Sequence, residues 1–316
     1  MSSLPFVSVI VPSFNEEKHI EDCLNALAQL NYPKDRYEII IVDNGSTDAT
    51  ISIASKFTQH IYIYPGITVG ALRNFGVKKA NGGIYAFIDA DCNADKDWLI
   101  NAVVKLNKEH CVTGSKYAVP DHGTWIEKAW FSQTLQGRHK VLYINSGNLF
   151  VPTNIFKIVG GFDESLQTGE DYEFCQRAGK ITKIISDSSI KVTHLGNPKT
   201  VMSFLTREIW HGLGSVGSLK HNWLDKPFIG TLAFLIFSIT QIGGLIHFIA
   251  TNTIWVFLLA SVCLITLILM TVCWRYKYIN SALLFLQLSI LYYLYYLGRT
   301  ISLFLLINRQ NFQRKK

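Results

Sequence analysis

Apolar and polar positions split this chain into two differently patterned parts. Up to residue 227 short apolar runs alternate with stretches of helical period, and from Phe228 onward the apolar runs become long. Val7–Val11 reads as a buried strand closed by Pro12. A helical pattern opens at Asn15-Glu16-Glu17, with Ile20, Leu24, Leu27 and Ala28 on one face. Ile39–Val42 is a second buried run ending at Asp43, and Asn44-Gly45-Ser46-Thr47-Asp48 is turn chemistry that caps a helix from near Ala49. Ile61–Tyr64 is a short third strand, Val69–Ala80 a helix, and Asn81-Gly82-Gly83 turns the chain into the apolar strand Ile84–Ile88. Strands that alternate with helices and end in polar residues predict a doubly wound, Rossmann-like α/β fold with a parallel sheet.

The second pattern is that of membrane helices. Phe228–Ala250 and Ile254–Trp274 are each long enough to cross a bilayer and contain no Lys, Arg, Asp or Glu. Ser281–Ile307 is a third candidate, interrupted by Arg299. The expected organisation is an α/β domain over 1–198, an interfacial segment over 199–227, a transmembrane region over 228–307 and a basic tail over 308–316. Trp210, His211, Lys220, Trp223 and Lys226 give the junction its mixed aromatic and basic character. Three full crossings would separate the basic tail from the head, whereas Arg275 and Lys277 favour a hairpin of the first two spans. Arg299 is costly at mid-bilayer. The expectation is therefore two firm spans, with the third segment a further span or a re-entrant or interfacial one and the topology open. Pro5 and Phe6 lead straight into the first strand with no signal peptide, which predicts an integral protein of the cell membrane with its head in the cytoplasm.

Charge and cysteine content narrow the partners. Thirty Lys and Arg against 23 Asp and Glu give +7, with much of the excess near the apolar segments. Anionic lipid headgroups fit that distribution, and no nucleic-acid-binding module is present. Six cysteines without CxxC spacing fit a reducing compartment and argue against zinc.

Candidate chemistry concentrates at strand ends. Asp89-Ala90-Asp91 directly follows Ile84–Ile88, and two carboxylates one residue apart suit a hard divalent cation, Mg²⁺ or Mn²⁺. Such an ion neutralises a diphosphate, which points to nucleotide-linked chemistry, although the same pair would serve an ordinary solvated turn. Glu170-Asp171 is a second acidic pair, equally suited to favouring a helix N-terminus. Arg73 suits bidentate phosphate or base-edge contacts, and otherwise a solvated helix face.

Five ordered segments carry a resemblance. Val7–Glu16, Ile40–Asp48, Arg73-Asn74-Phe75-Gly76, Phe87–Asp91, and Gly160–Glu164 followed by Gly169-Glu170-Asp171 resemble the signatures of inverting family 2 glycosyltransferases, which have the GT-A fold. The match runs over roughly residues 6–215. It implies that Asp43, at a strand end suited to an exposed acceptor, receives hydrogen bonds from the nucleotide base, with Pro12 and Phe14 as one wall. Glu16 caps a helix or contacts the nucleotide. Arg73 contacts the donor, Asp89 the ribose, and Asp91 with His194 the metal. Asp171 is the implied base that deprotonates the acceptor hydroxyl, with Glu170 as second choice, while Ser146, Gly147 and Asn148 line the donor sugar or acceptor. Arg207 and Trp210 depart from the Q-x-x-R-W motif of processive synthases, since the chain reads Arg207-Glu208-Ile209-Trp210.

The resemblance thus implies a membrane-anchored, metal-dependent hexosyltransferase using a nucleotide-diphosphate sugar. Its acceptor would be lipid-linked, polyprenyl-linked above all, or a saccharide, in polysaccharide or glycolipid assembly. A polyprenyl-phosphate sugar synthase is the alternative. A nucleotidyltransferase would carry a glycine-rich loop where Pro12-Ser13-Phe14-Asn15-Glu16 stands, and an inactive scaffold would have lost one acid pair.

Overall fold

A computed structural model describes residues 4–131, 138–218, 226–275 and 281–313. Lys220, Trp223, Lys277 and the last three tail residues, among those singled out above, lie outside the described residues. The chain divides into two units, the first running to His122 and resuming from Phe131 to Asn197.

In that first unit β1 (Val7–Ser13), α1 (Ile20–Ala28), β2 (Tyr37–Asp43), α2 (Thr50–Ala54), β3 (Ile61–Ile63), α3 (Val69–Lys79) and β4 (Ile84–Ile88) alternate as the pattern predicts. Helix α1 starts five residues beyond Asn15, because Asn15 itself takes a left-handed backbone (φ 55°) and its side chain is committed to the neighbouring loop. Its buried face is Ile20, Cys23, Leu24 and Leu27, with Ala28 outside it.

The chain continues through β5 (Cys92–Ala94), α4 (Trp98–Lys108), β6 (Cys111–Gly114), α5 (Trp125–Phe131), β7 (Arg138–Lys140), β8 (Asn148–Pro152), α6 (Thr153–Val159), α7 (Glu170–Ala178), β9 (Lys183–Asp187) and β10 (Val192–His194). The main sheet has the order β3-β2-β1-β4-β8-β6-β9-β7. Strands β1 to β4 pair in parallel, but β8 runs antiparallel to both β4 and β6, and β7 antiparallel to β9. The sheet is therefore mixed, not parallel throughout. A strand buried on both faces shows the same unbroken apolar run in either direction, so the sequence pattern carries no sign for it. The reversal matters for the site. Asn148 opens β8 opposite Ile88, the last residue of β4, which delivers Ser146 and Gly147 beside Asp89.

One face of the sheet packs Val9, Val11, Ile88 and Phe150 against Leu24, Leu27, Trp98 and Val103. The other packs Ile10, Phe87 and Leu149 against Phe156, Phe162 and Phe174. Trp98 is fully buried, and its indole N–H donates to Asn148 Oδ1 at 2.8 Å. The same Asn148 donates to the carbonyls of Ser115 and Ile190, so it is a buried tie between strands and not a lining residue.

The second unit comprises Gly123–Trp130 and the chain from Pro198 onward, with α8 (Val201–Ser218), α9 (Lys226–Thr251), α10 (Trp255–Arg275) and α11 (Ala282–Gln313). Phe204, Phe234, Leu288, Leu291 and Tyr292 form its core, with Trp130 packed on Phe204 and Tyr292. Phe228–Thr251, Trp255–Trp274 and Ala282–Leu305 are long and apolar enough to cross a membrane. Ile236, Ile239, Ile242, Ile246 and Ile249 leave more than half of their surface exposed along α9, forming an extended apolar surface. Helix α11 runs unbroken over Ala282–Gln313. Arg299 on it is answered by Glu208 of α8, with Nη2–Oε2 at 3.2 Å and Glu208 4 % exposed. Gly212 and Gly298 let the two helices approach, since a Cβ on either would meet Ser302 Oγ at 2.1 Å or Glu208 Cβ at 2.9 Å.

Candidate active site

The loops following β1 and β2 interlock at one end of the sheet. Asn15 N–H donates to Ser46 Oγ at 2.8 Å, and Thr47 N–H donates to Asn15 Oδ1 at 2.9 Å. Asp43 sits beneath them with no exposed surface. Its carboxylate accepts from Ser13 Oγ (2.7 Å), Gly45 N (2.9 Å), Ser46 N (2.6 Å) and Ser46 Oγ (2.6 Å). The expected exposed acceptor is thus a buried organiser of the loop, because Asn44–Ser46 fold back over it. Pro12 is buried in β1, and Phe14 is 53 % exposed just beyond it.

Four potential ligand groups, from Asp89, Asp91, Cys92 and His194, lie within 4.8 Å of one another. Sequence adjacency supplies the first three, and tertiary pairing supplies the fourth. The antiparallel β5–β10 ribbon sets His194 opposite Cys92, with Nε2 3.5 Å from Asp91 Oδ2. Burial pushes the Asp91 carboxyl upward, the His194 ring pulls it back, and the charge of Asp89 raises it again. Glu16 feels the same surplus of negative charge, pushed up to about 7 by burial and then by Asp91 and Asp89. A divalent cation relieves that surplus, and two carboxylate oxygens with one imidazole suit Mg²⁺ or Mn²⁺ chemistry. The backbone makes room for it, because a Cβ on Gly196 would stand 1.9 Å from Asp91 Oδ2. Cys92 is a thiol that donates to Asp91 Oδ1 at 3.7 Å, held protonated by burial and by both carboxylates.

Arg73 is 2 % exposed and joins the two acid pairs. Its Nη2 lies 2.6 Å from Asp89 Oδ1 and its Nη1 2.7 Å from Glu170 Oε1, and Ser146 Oγ also donates to Glu170 Oε1 at 3.2 Å. Both terminal nitrogens expected to face a donor are engaged by carboxylates of the protein itself. Helix α3 positions the guanidinium, with Thr68 capping its start by accepting from Ala71 N. The next residue, Asn74, donates to Phe162 O (2.8 Å) and Glu164 Oε1 (2.9 Å) and accepts from Phe162 N (2.9 Å). One turn of helix thereby fixes the Gly160–Glu164 loop and, through Arg73, the first residue of α7.

Glu170 and Asp171 diverge in consequence. Glu170 is 6 % exposed and ion-paired, whereas Asp171 is half-buried at the rim, with Oδ2 3.5 Å from Asn145 Nδ2. Burial and the adjacent Glu170 charge push the Asp171 carboxyl up to about 7. A carboxylate poised near neutral pH is suited to take a proton.

Tyr117 was not singled out in the sequence. Its hydroxyl donates to Asp89 Oδ2 at 3.1 Å and accepts from Gly147 N at 3.1 Å, and its ring packs on His194 with centroids 4.8 Å apart. A Cβ on Gly147 would collide with both Asp89 Oδ2 and the Tyr117 hydroxyl at 2.2 Å. The only signal in the sequence is that Ser115-Lys116-Tyr117 follows a short strand, as site residues of open sheets do.

Comparison with known proteins gives the following. The Glycosyl transferase family 2 profile matches residues 8–168. Glycosyltransferase AglE of Haloferax volcanii is 34 % identical over 192 residues, covering 56 % of this chain and 62 % of AglE. Poly(ribitol-phosphate) beta-N-acetylglucosaminyltransferase TarS of Staphylococcus aureus is 29 % identical over 185 residues, 54 % of this chain and 32 % of TarS. A dolichyl N-acetyl-alpha-D-glucosaminyl phosphate 3-beta-D-2,3-diacetamido-2,3-dideoxy-beta-D-glucuronosyltransferase of Methanococcus voltae is 27 % identical over 270 residues, 77 % of this chain and 84 % of that enzyme. Among solved structures, the mannosyltransferase PcManGT of Pyrobaculum calidifontis with GDP-Man and Mn²⁺ superposes with a TM-score of 0.62 at 17 % identity, covering 96 % of this chain and 88 % of that one. S. aureus TarS 1–349 with UDP-GlcNAc gives 0.52 at 22 % identity, covering 94 % and 90 %. The structural likenesses carry the fold, that of GT-A enzymes, in the first unit.

Proposed function

The chain belongs to glycosyl transferase family 2 and is a glycosyltransferase, and from that premise we propose that it is a membrane-anchored, metal-dependent, inverting enzyme. In this reading it moves a sugar from a nucleoside-diphosphate donor to a lipid-linked saccharide at the cytoplasmic face of the cell membrane, in polysaccharide or glycolipid assembly. The observation that carries it is the single buried guanidinium of Arg73 bound to both acid pairs. That tie leaves one carboxylate of each pair for chemistry, Asp91 beside His194 and Asp171 at the rim.

Asp91 and His194 are the residues that would hold the cation, with Asp89 oriented by Arg73 and Tyr117 toward the donor. When bound, a divalent ion supplies neutralisation of the charge on the departing diphosphate. Asp171 accepts the proton of the acceptor hydroxyl as oxygen attacks the anomeric carbon from the face opposite the leaving group. Glu170 is paired with Arg73 and raises the proton affinity of its neighbour. Phe14, exposed beside the interlocked loops, offers a ring for the nucleotide base. A lipid-linked saccharide is favoured over a bare polyprenyl phosphate by the M. voltae relative, whose name specifies a dolichyl-phosphate-linked sugar as its substrate. Three long apolar helices would hold the active site at the surface that carries such substrates.

The test uses the detergent-solubilised chain with UDP-, GDP- and TDP-sugars and Mn²⁺, reading nucleoside diphosphate release with and without polyprenyl-linked acceptors. Release from one donor, abolished by EDTA and by Asp91→Asn, and an inverted anomer in the product by NMR, are expected. Transfer by Asp171→Asn at the wild-type rate would remove Asp171 from its role.

A further inference from the structure

The segment before β8 runs along the start of α7, with Leu142 and Tyr143 exposed and Ile144 buried. Ile144 is 3 % exposed and its carbonyl accepts from the Cys175 thiol, whereas Tyr143 is 43 % exposed. Two further contacts pin the segment to the helix. Gln176 Nε2 donates to Leu142 O at 3.3 Å, and Asn145 Nδ2 donates to Asp171 Oδ2 at 3.5 Å. The Tyr143 ring meets Tyr172, 47 % exposed and adjacent in sequence to Asp171, with centroids 5.6 Å apart and planes at 71°.

Two rigid aromatic rings held edge to face at the rim are poorly explained by core packing, since neither is buried. Their contact fixes one ring against the other, so little side-chain freedom is lost when a ligand settles on them. The pair presents apolar ring surface bearing two phenolic hydroxyls, bordered by the polar side chains of Asn145, Asp171 and Gln176. A pyranose ring has the matching chemistry, an apolar C–H face edged by hydroxyl groups. A lipid chain would require a longer apolar track without that polar border.

We propose that Tyr143 and Tyr172 form a subsite for the terminal sugar ring of the acceptor, which presents its hydroxyl to Asp171. The proposal rests on the reading of Asp171 as the base. It makes the acceptor a saccharide-terminated molecule whose sugar is recognised by the first unit.

Saturation-transfer NMR on the full chain in detergent, with UDP and Mn²⁺, tests it using methyl β-D-glucopyranoside, methyl α-D-mannopyranoside and methyl N-acetyl-β-D-glucosaminide. Farnesyl phosphate is the arm without a sugar. At least one glycoside shows saturation of its ring C–H protons, falling about fivefold or more in Tyr143→Ala and in Tyr172→Ala and retained in Tyr172→Phe. Circular dichroism checks each fold, and if one alanine variant fails to fold the other decides. No saturation of any glycoside, unchanged saturation in the alanine variants, or a tyrosine-dependent signal from farnesyl phosphate alone overturns the subsite. Asp171→Asn separates the two readings. Sugar saturation that persists in it while transfer also persists removes the base and keeps the subsite.

Discussion

At the scale of single residues, the site depends on how neighbours of like type are made unlike. Glu170 and Asp171 are adjacent acids, yet one is locked to Arg73 and the other has its carboxyl raised to about 7. Catalysis that needs ionised Asp171 therefore increases as pH rises through about 7, and a kcat/KM profile with no limb in that region would contradict its role. The stability consequence has the opposite sign. A carboxyl whose folded pKa lies above its unfolded value stabilises most at low pH, and that contribution is lost as pH rises from about 4 through about 7. Asp171→Asn should accordingly gain thermal stability over wild type, and the gain should grow between pH 5 and pH 8. Gly147→Ala drives a methyl group into Asp89 and Tyr117. It should abolish nucleoside diphosphate release while leaving the circular dichroism spectrum unchanged.

Elements matter here for what they bring into register. Helix α3 carries Arg73 and Asn74 side by side, so a single rigid body sets the acidic pair after β4 and the loop before α7. Asn74→Ala deletes three hydrogen bonds to that loop and should cost roughly 1–3 kcal/mol, measured by denaturant titration of the solubilised chain. It should also raise the acceptor KM, because the start of α7 loses its anchor. Strand β10 has an analogous role. His194 is over a hundred residues beyond Asp91, and only the β5–β10 pairing makes them neighbours. His194→Ala should shift the Mn²⁺ concentration for half-maximal activity upward by about tenfold or more, since even the outer partners that orient a ligand are worth about 10–100-fold in metal affinity.

On the scale of the whole molecule the chain combines a GT-A unit with a helical unit whose long helices are apolar enough for a bilayer. The Arg299 charge on α11 is met within that second unit by Glu208 and, within its own helix, by the Tyr295 ring at 5.0 Å. His211, one turn from Arg207 on α8, is pushed down to about 3 by burial and by the two arginines, so it accepts from Arg207 as a neutral ring. Glu208→Leu should remove the carboxylate that faces Arg299 and lower the thermal midpoint in detergent, corresponding to about 3–5 kcal/mol. Replacing both Glu208 and Arg299 with Leu should recover most of that loss, and a double variant as unstable as the single one would show that the pair is not coupled.

Local patterning determined the strand-helix alternation of the first half, the three apolar helices and most of the acidic residues at strand ends. Those features follow from burial periodicity and from short-range turn chemistry, which a linear chain displays directly. Strand direction was beyond its reach, since buried runs look alike in either orientation, and the reversal of β8 is what carries Gly147 to Asp89. So was the division of labour within each acid pair, which depends on a guanidinium 97 residues from Glu170 and 16 from Asp89. Asp43 is held partly by its own turn, through Gly45 and Ser46 two and three residues on, and only the bond from Ser13 at the end of β1 comes from a distant segment. Tyr117 and the Tyr143–Tyr172 pair carried no motif at all. Contact between distant segments gave these side chains their chemistry, and such contact exists only once the sheet has assembled.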